Sequence, residues 1–488
     1  MSVVLIDDVA RLPAPGDNVA IATRRLHAGT VISAEDGNFS LTHTLMEGHR
    51  FAVSPIARGA ALLSWELPFG VALTDIARGE YVSNAGMLEA LRGRRLDFEL
   101  PATPNFEDRI TPYELEEATF VPAPPLERIA TPPTFRGFDR GARGAGTRNY
   151  VVVMGTTSRT AAFARIVAQR LEHEPKGDNF DGVVAVAHTE GGGAETPNNR
   201  DLLLRTLAGF AVHPNVGALL CVDYGSEAVS NAALQQFLRS EGYAIDDVPH
   251  RFLSLDGGFD QHLVEAEAQA REWAQQLRGQ ARIDLSASRL KLALQCGGSD
   301  AFSGVSGNPL AAWVARELIR CGGAANLSET DELIGAEPYV IDRVRDAATA
   351  RRFLEMIERF KERVSWHGAS AEGNPSGGNK YRGLYNIVLK SIGAAMKRHP
   401  DVPLDGCLEY SQPIPESGYW FMDSPGNDLE SIAGQVASGC NMIYFVTGNG
   451  SITNFPFVPT VKIVTTSQRF ELLAEDMDVN AGAYQDGA

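Results

Sequence analysis

Residues 183–197 read VVAVAHTEGGGAETP. An apolar, largely β-branched run without polar alternation is what a strand buried on both faces requires, and such strands belong to parallel sheets covered by helices. The run stops at His188 and Glu190, passes through Gly191, Gly192 and Gly193, and leads into NRDLLLRTLAGFA, whose apolar spacing is helical. The same strand, polar glycine loop and helix recur from about Arg136 onward. YVVVMG, VGALLCVD, KLALQC, AANLSE, DGCLEY, NMIYFVT and TVKIVTT alternate with amphipathic stretches such as TAAFARIVAQRLEHE, SNAALQQFLRSEGY, LAAWVARELIRC, VIDRVRDAATARRFLEMIERFKERV and LYNIVLKSIGAAMKR. The pattern predicts an α/β fold of largely parallel sheets with flanking helices, in two lobes dividing near residues 340–380.

The first part of the chain has another rhythm. NVAIATRRL, RFAVSPI and AALLSWELPFGVALT are short β-like runs separated by the turns HAGT, EGHR, ARGA and ARGE, which predicts a small all-β domain over residues 1–92. Residues 93–135 place many prolines in a short stretch and read as an extended linker, leaving 136–488 as the α/β region.

The 488 residues exceed what one core organises, and 44% hydrophobic with 22% charged residues is ordinary globular composition. A formal net charge of −17 argues against nucleic acid or an anionic membrane as partner, so an anionic ligand has to be met by local cations or backbone amides. No basic start with an apolar core opens the chain, no apolar run is long enough to span a bilayer, and five scattered cysteines form no Cys-x-x-Cys pair. These features predict a cytoplasmic protein with free thiols.

Strand-end loops are where open α/β sheets bind ligands, so MGTTSRT, AHTEGGGAETP, VDYGSE, QCGGSDAFSG, SETDELIGAE, YSQPIPESG and VTGNGSITN are expected to converge on one site or two related ones. Neither a phosphate loop nor a well-placed Gly-x-Gly-x-x-Gly is present. Taken singly the polar residues have plain structural readings. His188 can bond a carbonyl; Asp223, Asp300 and Asp423 can cap helices; Cys296 can be a buried thiol; Lys380 and Arg382 can be surface charges.

Five strings in order, GTRNYVVV (146–153), LQCGGSDAFSGVSGNP (294–309), LSETDELIGAE (327–337), NPSGGNKYRGL (374–384) and FMDSPGND (421–428), resemble motifs of the altronate/galactarate dehydratase family. DNVAIATRRLHAGT, EGHRFAV and LPFGVALTDIARGEYV resemble the small SAF (β-clip) domain that accompanies it. The resemblance implies a hydro-lyase converting a sugar acid to a 2-keto-3-deoxy acid, with a divalent metal, Fe2+ or Mn2+, and a homo-oligomeric assembly. Sulfite elimination from a sulfolactate-like acid and non-catalytic sugar-acid binding are the alternatives.

Elimination next to a carboxylate needs a base for a weakly acidic α-proton, positive charge for the enediolate and an acid for the leaving group. The resemblance points to His188, Glu190, His49 and Asp300 for catalysis, and to His188, Glu190 and Glu329 for the metal. It points to Arg148, Asn149, Ser299, Asn374, Lys380, Arg382 and Asp423 for the small carboxylic-acid substrate. The chain departs from the family where relatives often carry Cys, at GTTSRT and at Gly191–Gly193, and at Val82, Ser83 and Asn84, where relatives tend to a His-rich string.

Overall fold

The short amino-terminal runs pair antiparallel. In the computed structural model, which describes residues 3–193 and 195–487, strand Val19–Ala22 pairs with Arg50–Ala52, and Ala61–Ser64 forms a hairpin with Leu67–Ala72. The hairpin turn is Trp65–Glu66, both left-handed at φ 55° and 59°. Side chains rarely accept that conformation, and it persists here because the Asp17 carboxylate accepts both backbone N–H groups, at 2.9 and 2.7 Å. The domain does not stop at 92. Strand Phe106–Asp108 returns to pair with Leu67–Ala72, because Phe106 is a buried core residue packed on Phe69. Beyond it the chain runs extended along the carboxy-terminal unit, where Ala123 N donates to the Val344 carbonyl (2.9 Å) and Ile129 N to that of Arg320 (2.8 Å).

Two parallel sheets follow. The first contains β1 (Tyr150–Gly155), β2 (Gly182–Val186), β3 (Val216–Asp223) and β4 (His250–Ser254) in the order β2-β1-β3-β4. All eight residues of β3 are buried, as a central strand covered on both faces demands. Helices α1 (Ala161–Arg170), α2 (Arg200–Ala211), α3 (Asn231–Ser240) and α4 (Phe259–Arg278) cover it. The second sheet contains β5 (Lys291–Cys296), β6 (Ala324–Leu327), β7 (Gly406–Leu408), β8 (Gly418–Met422), β9 (Met442–Thr447), β10 (Thr460–Val464) and β11 (Val479–Asn480), in the order β7-β8-β6-β5-β9-β10-β11 and parallel throughout.

The sheets separate between residues 254 and 291, not near 340–380. Strand Ile283–Ser286 pairs antiparallel with Thr134–Asp139, so the chain enters and leaves the first α/β unit side by side. Helix α5 (Asn308–Arg320) follows β5, and the region 340–380 is instead part of a long crossover from β6 to β7, built on helix α6 (Ala347–Ser365). Among the described residues no helix is long and apolar enough to cross a membrane.

The units pack through α2 and α8 (Asp428–Ala437), where Gly209 lies so close to Ala437 that a Cβ has no room. In the second sheet, chain order reverses between β5 and β9. Parallel α/β sheets bind ligands in the crevice at such a switch point.

Candidate active site

A narrow crevice beyond β5, with about 210 Å³ between its atoms and too tight in this structure to admit a water molecule, is lined by Cys296, Ser299, Asp300 and Asn308, by Lys390 from helix α7 (Ile387–Ala395), and by Trp65 of the amino-terminal domain. A Cβ on Gly304 would lie 2.8 Å from the Trp65 ring and 2.5 Å from the Gly393 backbone, so these glycines let the ring seat against the crevice wall. The left-handed hairpin tip therefore aims Trp65 at the site. Trp65→Gly is expected to remove that wall and raise KM about tenfold. Because glycine relieves the φ 55° strain, thermal stability should change by less than about 1 kcal/mol; steady-state kinetics beside a melting curve checks both.

Behind the crevice lies a buried charged cluster. Glu329, left-handed at φ 70° where β6 ends, is fully buried and ion-paired to the equally buried Lys397. Gln295 Nε2 donates to Glu329 (2.7 Å) and to Asp428 (3.0 Å). Lys390 Nζ donates to Glu332 at 2.6 Å and to Asn374 Oδ1 at 2.8 Å, and Asn374 Nδ2 donates to Asp331 at 3.3 Å. Burial pushes Glu329 upward, whereas the neighbouring carboxylates hold the Lys397 ammonium above the ordinary lysine range despite its burial. The ion-paired form is the one that both hydrogen bonds to Glu329 support. Burial and the charge of Glu332 raise Asp331 to about 6. Gln295 Oε1, Asp331 Oδ1 and Glu332 Oε2 are buried acceptors without a protein donor among the described residues.

On the open side, Arg382 donates to the Gly378 carbonyl at 3.0 Å. Its electrostatic neighbours are Arg469, Arg94 and Asp300, and burial together with these guanidinium groups lowers it. Arg469, in helix α9 (Ser467–Leu472), makes no side-chain hydrogen bond or ion pair among the described residues. Arg94 stacks on Tyr381 with 4.2 Å to the ring centroid. Excess guanidinium charge beside a crevice suits a carboxylate ligand.

Of the residues expected from sequence, Ser299, Asp300 and Lys390's partner Asn374 meet at this crevice and its cluster, with Arg382 at the rim; Lys380 lies against Gly86. Asp300 is desolvated and raised, with its oxygens held by Thr465 Oγ1 (2.7 Å) and the backbone N–H groups of Phe302 (3.0 Å) and Ser303 (2.8 Å), so it fixes the loop that carries Ser299. Asp423 ties β8 to α6 through Arg359 (2.5 Å) and accepts from Thr330 Oγ1 (2.8 Å).

Other expectations are corrected. Arg148 and Asn149 precede β1 and sit at its amino end, opposite the ligand side. Arg148 pairs with Asp181 (3.4 Å), and Asn149 accepts from Arg140 (2.6 Å) and donates to the Asn179 carbonyl (2.8 Å). His49 is fully buried at the joint between domains, with Nδ1 2.6 Å from the Tyr81 hydroxyl and Nε2 3.1 Å from the Tyr381 carbonyl. Burial lowers it to about 4, which leaves a neutral ring with both nitrogens engaged. His188 and Glu190 lie at the carboxyl end of β2. There His188 Nε2 meets the Gly155 carbonyl (3.1 Å), its Nδ1 accepts from Glu190 N (3.2 Å), and the Glu190 carboxylate accepts from Asn199 (3.1 Å).

The set His188, Glu190 and Glu329 does not assemble as metal ligands. Both His188 nitrogens are occupied, Glu329 is held by Lys397 and Gln295, and no hydrogen bond or ion pair joins the two places among the described residues. Nor do any three His, Cys, Asp or Glu side chains among the described residues converge in a way that could hold an ion. The residues present do not fit a divalent metal centre of that kind.

Sequence reading missed Lys390, Lys397, Asp331, Glu332, Gln295, Asp428, Arg469 and Trp65. A signal existed for the lysines: they are seven residues apart, sharing a helical face, in a segment whose other residues are nearly all apolar. Arg469 and Trp65 carried none, since a tip tryptophan and a helix arginine look ordinary.

Comparison with known proteins agrees with this architecture. Residues 12–88 match the description "Altronate/galactarate dehydratase SAF domain", 137–278 "D-galactarate dehydratase/Altronate hydrolase, second domain", and 287–488 "D-galactarate/Altronate dehydratase, C-terminal". Altronate dehydratase of Escherichia coli (strain K12) is 30% identical over 477 residues, covering 96% of this chain and 89% of the relative. The chain belongs to the altronate/galactarate dehydratase family. Altronate dehydratase of Bacillus subtilis (strain 168) is 29% identical over 472 residues, 96% of this chain and 88% of its own. The (2R)-sulfolactate sulfo-lyase subunit beta of Chromohalobacter salexigens is 29% identical over 349 residues, 71% of this chain and 86% of its own. The family match places the unit boundary at 278–287, in the same interval as the change of sheet.

Proposed function

We propose that this member of the family is a cytoplasmic hydro-lyase that removes water from a sugar acid to give a 2-keto-3-deoxy acid. The observation that carries the reading is a buried cluster of oxygen acceptors that lack donors, Gln295 Oε1, Asp331 Oδ1 and Glu332 Oε2, tied by the Glu332–Lys390 ion pair to a crevice whose wall residue Asp300 neighbours Arg382. A sugar acid has the complementary groups: a carboxylate for Arg382 and Arg469, and hydroxyl donors for Gln295, Asp331 and Glu332. The five cysteines, all free and four of them buried, agree with a reducing compartment.

In this reading the α-proton passes to a carboxylate of the cluster, the β-hydroxyl departs as water after taking a proton, and the enol relaxes to the ketone. Asp331, with one oxygen unengaged and a proton affinity near neutrality, suits the proton transfers. Trp65 and the domain joint exclude bulk water from the crevice, which strengthens each electrostatic contact inside it.

A coupled assay for 2-keto acid and for sulfite, across aldonic, aldaric and sulfonated hydroxy acids, tests the function. The expected result is 2-keto acid from an aldonic or aldaric acid without sulfite. The sulfo-lyase relative motivates the second reading, which sulfite release would favour. Arg469→Gln is expected to raise KM about tenfold or more with a smaller change in kcat, since an anchor for the ground-state carboxylate is lost. An unchanged KM would remove Arg469 from the substrate site.

A further inference from the structure

A carboxylate-stabilised carbanion needs positive charge beside it, and the sequence led us to expect a metal. The expected ligands are separate, and the carboxylate cluster already holds two ammonium groups: Lys397 against Glu329 and Lys390 against Glu332. They are not equivalent. Lys397 is wholly buried behind Glu329, whereas Lys390 is one of the residues lining the crevice.

An ammonium carries three N–H donors. Two of those on Lys390 go to Glu332 and Asn374, which leaves one for the crevice. Asn374 and Glu332 also fix where Nζ stands, so a bound carboxylate meets a preset donor rather than a mobile side chain. Burial opposes the charge on Lys390, but Glu332, Asp331 and Glu329 outweigh it and keep the group protonated above the ordinary lysine value.

We propose that in this chain the Lys390 ammonium, fixed by Glu332 and Asn374 at the crevice wall, is the electrophile for the substrate carboxylate, and that elimination proceeds without a divalent metal. This rests on the dehydratase reading above. The step balances without a co-reactant. The C2–H bond breaks and its proton goes to a cluster carboxylate. Its electron pair forms the C2–C3 double bond as the C3–O bond breaks, the hydroxyl leaves as water with one added proton, and the enol takes a proton at C3 and gives up its O2 proton to become the ketone. Negative charge that builds on the C1 carboxylate during proton removal is met by the Lys390 N–H.

The test combines three readings on the full-length protein. After chelation, with metal loss checked by elemental analysis, turnover of the acid found above is expected to remain at least about half of its starting value. Mn2+ titration followed by electron paramagnetic resonance is expected to find no stoichiometric tight site. Lys390→Met is expected to lower kcat by about 10²–10³-fold, and Lys390→Arg, which keeps a cation, to recover part of it. Loss of turnover on chelation with restoration by Fe2+ or Mn2+, or a tight stoichiometric Mn2+ site, would overturn the proposal. So would a folded Lys390→Met variant with near-normal kcat. Failure of every acid in both stripped and metal-loaded protein sinks the dehydratase reading instead, and the Mn2+ titration still decides whether the chain holds a metal.

Discussion

Lys397→Met is expected to lower the stability of the fold by about 3–5 kcal/mol, the cost of leaving one member of a buried ion pair without its partner. Lys397 and Glu329 are both fully buried, and Glu329 keeps only the Gln295 amide, at 2.7 Å, once the ammonium is gone. The neighbouring carboxylates of Glu332 and Asp428 make the orphaned charge worse. The double variant Lys397→Met with Glu329→Gln removes the charge as well as its partner, so it should regain most of the loss. Urea unfolding of the wild type, the single variant and the double variant at neutral pH measures this. A single variant as stable as the wild type would mean that Glu329 is neutral in the folded protein.

Asp331→Asn is expected to act oppositely on stability and on turnover. The carboxyl stands at about 6 against an ordinary 3.8, raised first by burial and then by Glu332, and opposed by Lys390 and the Gly426 N–H. Between those values the folded chain binds more protons than the unfolded one, so this group's contribution falls as pH rises from about 4 to 6 and stays unfavourable above. Removing its charge should therefore stabilise the protein at pH 7 by about 1–2 kcal/mol, after allowance for partial solvent contact, and have little effect near pH 4. Turnover should fall about 10²-fold, because the amide cannot carry a proton. In the wild type, kcat/KM should rise with pH through about 6 as the carboxylate forms. Denaturation at the two pH values and a pH–rate profile check the three statements. Full turnover in Asp331→Asn would move the proton transfers to another group.

The parallel sheets were legible because burial on both faces writes itself as uninterrupted apolar runs; β1, β3, β5 and β9 stand out for that reason. β8 and β4 were not, since GYWFM is short and aromatic and HRFLS mixes charges at a sheet edge. The expected division near 340–380 followed from counting runs, which cannot distinguish a second domain from a long crossover. At the site, loops that carry residues from a strand's carboxyl end were read as ligand-facing, and Ser299 of one such loop lines the crevice. GTRN, which leads directly into the strand YVVVMG, lies at the other end, and strand polarity alone excludes it. The cluster escaped because its chemistry depends on pairing across 34 residues from Gln295 to Glu329 and 68 from Glu329 to Lys397, which only the folded chain brings together.

Proton NMR of the reaction in D2O tests the central claim, elimination of water from a sugar acid through an enol, most directly. The prediction is a 2-keto-3-deoxy acid carrying one solvent deuteron at C3, with no sulfite released, and loss of that signal in Lys390→Met. Aldonic and aldaric acids left unchanged by the folded wild-type protein, or a product with no deuterium at C3, would contradict it.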